Sequence, residues 1–188
     1  MVSSTVLERP VATAFDPAGV TDLAGVADAL APGVPQVLGL RCTKGHFNDP
    51  DLAYCAVCGI SMLQATRVPV PGDRPPLGVL VLDDGTAHPL VRDLVLGRAP
   101  EAHDTVAAGE ASPVPVADPM VSRVHARVVL DGWQVSVVDA GSTNGTFLRA
   151  PGQASWSRVP RGAGVPLRPG TVVVLGGRQF RYHSYRNL

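Results

Sequence analysis

Lysine is almost missing from this 188-residue chain: Lys44 is the only one, and every other basic side chain except histidine is arginine. That bias speaks of composition more than of function. Long apolar runs are also missing. The first thirty residues are interrupted by Glu8, Arg9, Pro10, Asp16, Pro17, Asp22 and Asp28, which leaves no continuous hydrophobic region of the kind a secretory leader or a membrane span needs. A cytoplasmic protein is predicted. No nucleotide-binding glycine loop, paired acid and base, or open metal site is visible, so an enzyme is the reading with least support. Net charge is absent as well, with 16 basic residues against 16 acidic ones. The balance hides an asymmetry, because from Ser122 onward nine arginines face only Asp131 and Asp139. Such a basic end attracts acidic or phosphorylated ligands, and nucleic acid would respond to the same field.

What the chain does have is a series of short strand-like segments in its second half. Gly78 to Leu82, Ala126 to Leu130, Val135 to Val138, Thr146 to Leu148, Thr171 to Leu175 and Gln179 to Tyr182 are rich in Val, Leu, Phe and Tyr. Turn pairs punctuate them: Asp84-Gly85, Asp131-Gly132, Asn144-Gly145, Pro169-Gly170 and Gly176-Gly177. Short strands at this spacing, without long helical periodicity between them, predict an antiparallel β-sandwich. At 45% hydrophobic residues the chain can bury one core plus a small accessory module.

Three blocks fall between these strands, on loops: Gly97-Arg98, Ser122-Arg123-Val124-His125, and Gly141-Ser142-Thr143-Asn144-Gly145-Thr146. Taken singly, an arginine in a β-protein is a solvated face and an Asn-Gly pair is a hairpin turn. Together they fit the recognition of a phosphate. A phosphothreonine carries about −1.5 to −2 charge and three strong acceptor oxygens. Arg98 offers a planar fork that matches two such oxygens, and Ser122 and Thr143 offer short hydroxyl donors. Loop backbone amides add to the cradle.

The order and residue types of these blocks resemble the forkhead-associated (FHA) family, whose domains bind phosphothreonine peptides through loops at one end of a β-sandwich. The resemblance covers about residues 77 to 185, including Leu167, Gly170, Leu175-Gly176 and Phe180 near its end. It implies phosphothreonine-binding residues Arg98, Ser122, Arg123, Thr143 and Asn144. Of these, Arg98, Ser122 and Thr143 are expected to hold the phosphate, and Arg123 and Asn144 to orient the peptide. It implies loop support from Gly97, from a buried His125 and from Gly145. A nucleophile and base made of Ser122 and His125 lacks a third orienting acid in the motif. The chain departs from the family at Ala99 to Val121, where the family spends fewer residues. A segment this long is expected to be a functional or mobile loop that tunes peptide choice or covers the pocket. A second insertion, Ala150 to Arg161, carries Trp156 and is expected to form a lid on the sandwich edge.

The remaining motif is Cys42-Thr43-Lys44-Gly45-His46 followed by Tyr54-Cys55-Ala56-Val57-Cys58-Gly59, which holds all three cysteines. An odd number of cysteines cannot close into disulfides within one chain, whereas three thiolates and an imidazole complete a tetrahedral zinc shell. The spacing C-x3-H-x8-C-x2-C predicts a structural Zn2+ held by Cys42, His46, Cys55 and Cys58, in a small zinc-ribbon or knuckle module. A redox dithiol would sit at a helix start in a βαβ pattern, and that context is lacking. Phe47 and Tyr54 are expected to pack over the site or to form a small apolar contact surface, a mini-core being the ordinary reading of such residues. Arg41 and Lys44 are offset by Asp49 and Asp51, so the module has no strong phosphate-binding face.

The predicted organisation is a flexible tail over residues 1–36, the zinc module over 37–66, a Pro-rich extended linker over 67–76, and the FHA domain over 77–188, the two folded units being separate. A helical turn is expected around Leu23 to Leu30. The predicted function is a noncatalytic adaptor that docks on phosphothreonine-containing proteins, the substrates of a serine/threonine kinase, with the zinc module contacting a second protein. The alternative is a nucleic-acid-associated regulator using the zinc module and the basic sandwich face. In the tail, Thr13 with Asp16 and Thr5 with Glu8 resemble the threonine-acid spacing of some FHA ligands. A phosphorylated tail would therefore be a ligand for its own Arg98 site, although an unmodified tail is the ordinary reading of such spacings.

Overall fold

The computed structural model describes residues 34–64 and 68–186. The predicted flexible tail (all but its last three residues), its helical turn and its Thr5 and Thr13 lie outside the described residues. Among the described residues, no helix is long and apolar enough to cross a membrane.

In chain order the strands are β1 (Gln36–Arg41), β2 (Phe47–Asn48), β3 (Val70–Asp73), β4 (Val79–Leu82), β5 (Ala87–Pro89), β6 (Asp93–Gly97) and β7 (Ala111–Pro115). There follow β8 (Ala126–Asp131), β9 (Gln134–Asp139), β10 (Thr146–Arg149), β11 (Ser157–Arg158), β12 (Gly164–Pro166), β13 (Val172–Leu175) and β14 (Arg178–His183). They form a small sheet in the order β2-β1-β3 and two larger sheets, β11-β10-β13-β14-β4-β5 and β12-β9-β8-β6-β7. Period-two patterning explains the layering. In β8 and β9 the alternate residues Ala126, Val128, Leu130, Val135 and Val137 are buried, while Arg127 and Ser136 are half-buried on the other face. They meet Leu80, Leu82, Leu175, Phe180 and Tyr182 of the six-stranded sheet in one core. The Tyr182 hydroxyl donates to the Leu77 carbonyl at 2.9 Å, which satisfies the one polar atom of the largest side chain buried there.

All the larger-sheet pairings are antiparallel except one: β6 and β7 run parallel, from Asp93 opposite Ala111 to Gly97 opposite Pro115. This corrects the expectation for Ala99 to Val121. The segment is not a mobile loop. It holds a turn of 3-10 helix at Pro100–Ala102 and a single α-helical turn at Asp104–Ala107. It then forms the sheet's edge strand, with Val114, Val116 and Val121 in the core. A parallel strand needs a crossover connection, and the extra residues supply it. Pro113 and Pro115 are tolerated because β7 has a neighbour on one side only.

The expected linker also differs. Residues 70–73 pair with β1, Gln36 opposite Asp73 through Gly39 opposite Val70, so this stretch is the third strand of the small sheet. Pro71 is accommodated because β3 is an edge. Arg74, which follows, is buried and donates from Nη1 to the Leu130 carbonyl at 3.0 Å. Burial pushes its guanidinium pKa down, against the charges of Asp93 and Asp131. The small sheet is thereby fastened to the sandwich. Trp133 completes the joint: its indole N–H donates to the Leu38 carbonyl at 2.7 Å, and its ring lies 5.5 Å from that of Phe47. Phe47 in turn covers Gly39 and Gly72, where a Cβ at Gly39 would overlap its ring. Arg186 pairs with Asp49 across the same joint. Tyr54, by contrast, is 60% exposed and adds little to a mini-core.

Trp133→Phe keeps the ring contact and removes the indole donor. It is expected to cost about 1 kcal/mol in urea unfolding, the usual net value of one hydrogen bond. An unchanged midpoint would show that the joint does not depend on that bond.

Candidate functional site

The site is built on the ends of β6, β8, β9 and β10. Gly97 ends β6 where the chain passes against the Arg123 backbone, and a Cβ there would overlap the Arg123 carbonyl oxygen. That close approach lets the Arg98 amide donate to the Ser122 carbonyl at 3.0 Å and the Ala99 amide to the Arg123 carbonyl at 2.9 Å. Two of the three sequence blocks are thus zipped together. The Arg98 side chain is exposed, and its Nε donates to the Val121 carbonyl at 2.6 Å, which aims the guanidinium. Its two terminal nitrogens make no hydrogen bond or ion pair with any described residue.

The third block joins through Ser122. Its Oγ accepts from the Thr143 amide at 3.1 Å, which leaves the hydroxyl hydrogen to donate outward. Thr143, Asn144 and Arg123 are exposed. The Asn144 side-chain amide donates to the Met120 carbonyl at 2.7 Å. Arg98, Ser122, Arg123, Thr143 and Asn144 are therefore brought together on loops linked by hydrogen bonds.

His125 sits beneath them with no exposed surface. The Ser122 amide donates to its Nδ1 at 3.0 Å, and its Nε2 lies 3.2 Å from the Gly145 carbonyl oxygen. An acceptor Nδ1 fixes the proton on Nε2, so the ring donates to Gly145 and both nitrogens are used by backbone. Neither remains to serve Ser122 as a base. Burial pushes the imidazole pKa down, only partly countered by the Gly145 carbonyl and by Asp139 and Asp118.

Asp139 is the residue the sequence reading passed over. Its carboxylate is buried and accepts four hydrogen bonds, from the Gly141 and Ser142 amides at 2.9 Å each, the Ser142 hydroxyl at 2.6 Å and the Thr146 hydroxyl at 2.7 Å. Burial alone would push its pKa up, but the donors from Ser142, Thr146 and Gly141 outweigh burial and hold it below the usual carboxylate range. Ser142 Oγ then accepts from the Gly145 amide at 2.9 Å, closing the turn in which Gly145 takes a φ of 83°. The available signal was an Asp two residues before Gly141-Ser142, a residue type that binds backbone amides two positions on. Arg158 and Arg161 were passed over too. The 150–161 insertion returns beside β10 through β11, and the Arg161 Nη2 donates to the Ser142 carbonyl at 2.9 Å. Trp156, half-exposed, lies under the Arg149 guanidinium at 4.8 Å.

A second cluster lies in the small sheet. Cys42 Sγ is 3.5 Å from His46 Nδ1 and 3.9 Å from Cys58 Sγ, and Cys55 Sγ is 3.7 Å from His46 Nδ1. All four ligand atoms lie within 4.8 Å of one another. A tetrahedral ion with metal–sulfur bonds of about 2.3 Å and a metal–nitrogen bond of about 2.0 Å has edges of about 3.5–3.8 Å, so this donor set could hold a metal. Asn48 supports it, donating to the His46 carbonyl at 2.7 Å and accepting the Ala56 amide at 2.9 Å. Burial pushes the Cys55 thiol up, but the backbone amides of Cys58 and Val57 and the side chains of Cys58 and Asn48 bring it down to about 6. A thiol so poised supplies the thiolate a metal needs.

The FHA domain family model matches residues 94–176. Among solved structures, the chain resembles the FHA domain of an Arabidopsis thaliana hypothetical protein at 22% identity and a TM-score of 0.46, over 58% of this chain and 86% of that one. It also resembles Mycobacterium tuberculosis EmbR in complex with a low affinity phosphopeptide, at 19% identity and a TM-score of 0.46, over 62% of this chain and 26% of that one. The FHA domain of the CT664 protein from Chlamydia trachomatis aligns at 22% identity and a TM-score of 0.42, over 58% of this chain and 98% of that one. No curated protein matches the chain.

The buried His125 sets a pH dependence. Its folded pKa lies below the ordinary 6.5, so the unfolded chain binds the proton more readily. Its contribution is complete above about pH 6.5 and is lost as pH falls toward the folded value. His88 and His183 are shifted in the same direction by burial and add slope of the same sign. His125→Asn is expected to be less stable than wild type at pH 7 and to lose less stability between pH 7 and pH 5 in urea titrations. Equal slopes would contradict the buried neutral ring.

Proposed function

We propose that residues 94–176, an FHA domain, make this protein a phosphothreonine-dependent adaptor in serine/threonine-kinase signalling. The observation that carries this reading is the Arg98 guanidinium, held by its Nε, with its terminal nitrogens unpaired among the described residues. It stands on loops shared with the Ser122 hydroxyl and with Thr143. A phosphate monoester needs one planar cation and several fixed donors. Arg98 grips two phosphate oxygens, Ser122 and Thr143 take the rest, and Arg123 and Asn144 orient the flanking peptide. The site binds and does not turn over, since His125 is committed to backbone on both nitrogens. The partners are phosphorylated proteins met in the cytoplasm.

The Cys42, His46, Cys55 and Cys58 cluster holds a structural Zn2+ in this reading. Four protein ligands fill the tetrahedron and leave no position for a substrate. Among the described residues, the buried apolar cluster that includes two of these ligands comprises Leu40, Cys42, Cys55 and Met62. So small a core needs metal–ligand bonds for its folding energy.

Fluorescence anisotropy with a phosphothreonine peptide library tests the first claim. Arg98→Ala is expected to lose about 10- to 100-fold in affinity, the worth of a charge-assisted hydrogen bond of about 1.5–3 kcal/mol. Equal binding by wild type and variant would sink it. Nucleic-acid binding that survives Arg98→Ala with Ser122→Ala and falls steeply with salt would favour a nucleic-acid regulator instead.

Metal analysis of the purified chain tests the second claim. About one zinc per chain is expected, and Cys58→Ser or a strong chelator should release it and unfold the small sheet, read by amide exchange. A small sheet equally protected without metal would refute the structural role.

A further inference from the structure

The joint between the small sheet and the sandwich leaves two clefts that the Arg98 site does not use. One, of about 300 Å³, lies among Phe47, Val57, Pro75, Pro76, Trp133 and Tyr185. The other, of about 550 Å³, lies among Asp49, Asp51, Asp131, Trp133, Pro166 and Arg186. Asp49, Trp133 and Arg186 line both, so the two clefts share a wall. On the rim of the first, two large apolar side chains are open to solvent: Val57 is 69% exposed and Tyr185 52%.

The charge of the second cleft has one sign. Its acids are Asp49, Asp51 and Asp131, and its base is Arg186. Arg186 is paired with Asp49, and that pair is nearly closed to solvent, the side chains being 11% and 7% exposed. Asp51 and Asp131 are exposed and enter none of the ion pairs among the described residues. Arg74 lies in the field of Asp131, but it is buried and donates to the Leu130 and Val91 carbonyls. Two carboxylates therefore face solvent beside an aromatic ring. Nucleic acid, an anionic membrane or an acidic peptide would be repelled there, whereas a cation is attracted by both the carboxylates and the ring face. The first cleft adds aromatic and proline surfaces, a lining on which extended proline-bearing segments dock at low entropic cost.

We propose that this joint is a docking groove for a partner protein's extended segment that carries an arginine or lysine beside proline. The cation sits among Asp51, Asp131 and Trp133, and the proline lies against Phe47, Pro76 and Tyr185. This site stands apart from the phosphothreonine reading. β8 runs from Ala126, next to the buried His125, to Asp131 in the groove. At about 3.4 Å per residue those ends are about 17 Å apart, so the groove and the Arg98 site lie at opposite ends of the sandwich. One chain can hold a partner at each.

Fluorescence anisotropy on the full chain tests this with three short labelled peptides. They carry a central arginine among prolines, a glutamine in its place among the same prolines, and the arginine among glycines. Wild type is expected to bind the first at least about fivefold more tightly than the second, the joint worth of a cation–aromatic contact and two surface charges. It should bind the third several-fold more weakly than the first. Asp51→Lys combined with Asp131→Asn should bring the arginine–proline peptide down to the level of the glutamine one. Tyr185→Ala should weaken both proline peptides several-fold and leave the glycine peptide unchanged. Neither change removes a side chain that bonds across the joint, where Arg74, Trp133 and the Arg186–Asp49 pair remain. An arginine–proline peptide bound no more tightly than the other two, or a preference that survives in each variant, overturns the proposal. So does binding that appears only once residues 1–33 are removed, which would give the groove to the chain's own Arg9-Pro10. A dimer abolished by Tyr185→Ala, in place of peptide binding, overturns it in favour of a second copy of this chain.

Discussion

Four hydrogen bonds converge on one buried carboxylate, that of Asp139, and the geometry of the 139–147 turn depends on them. An unpaired carboxylate in such a place would be costly to bury, so the loop must fold with Gly141, Ser142 and Thr146 presenting their donors inward. The outward-facing residues of the same turn, Thr143 and Asn144, are then left exposed. The backbone of Asp139 extends the constraint: the Gly162 amide donates to its carbonyl, and the next amide, of Ala140, donates to the His125 carbonyl at 2.9 Å. One residue thereby ties the turn to β8 on one side and to the returning insertion on the other.

His125 carries the same order to the remaining block. Its neutral ring spans the Ser122 amide and the Gly145 carbonyl, so the loop before β8 and the loop before β10 cannot shift independently. Arg98 is aligned in turn by backbone bonds to Ser122 and by its Nε on Val121. Preorganised donors lose little freedom when a ligand arrives, which is how a few polar groups give useful affinity. The small sheet is held by the same economy of contacts. Arg74, Trp133 and Arg186 each reach across to it or to the segment leading from it, so the two units are joined by packed and hydrogen-bonded side chains.

Much of this was legible in the chain. Alternation in β8 and β9, with Asp131-Gly132 between them, defines a hairpin without help from the rest of the fold. The three motif blocks and the four side chains that could hold a metal were nameable from residue type and spacing. Prolines obscured two strands. Pro113 and Pro115 mask β7, and Pro71 masks β3, because proline argues against a strand unless the strand is an edge, and edge status is a property of the assembled sheet. The parallel pairing of β6 with β7 was hidden for the same reason, since no local pattern distinguishes a crossover from a long loop.

The sequence by itself determined the chemistry on offer: which side chains can grip a phosphate or a metal, and where glycine lets the chain turn. Gly145 at a φ of 83° and the cysteine-histidine spacing are local facts, set by sterics and by the reach of a few residues. Only the tertiary structure decided what those groups face. Trp133 bonds a carbonyl 95 residues away, Asp139 gathers the turn beneath the exposed loop, and the insertion carries Arg158 to Gly145. Such contacts join distant segments whose approach is fixed by strand register and by packing of a shared core. The free energy that holds them comes from the whole sandwich, and so no short stretch of sequence can specify them.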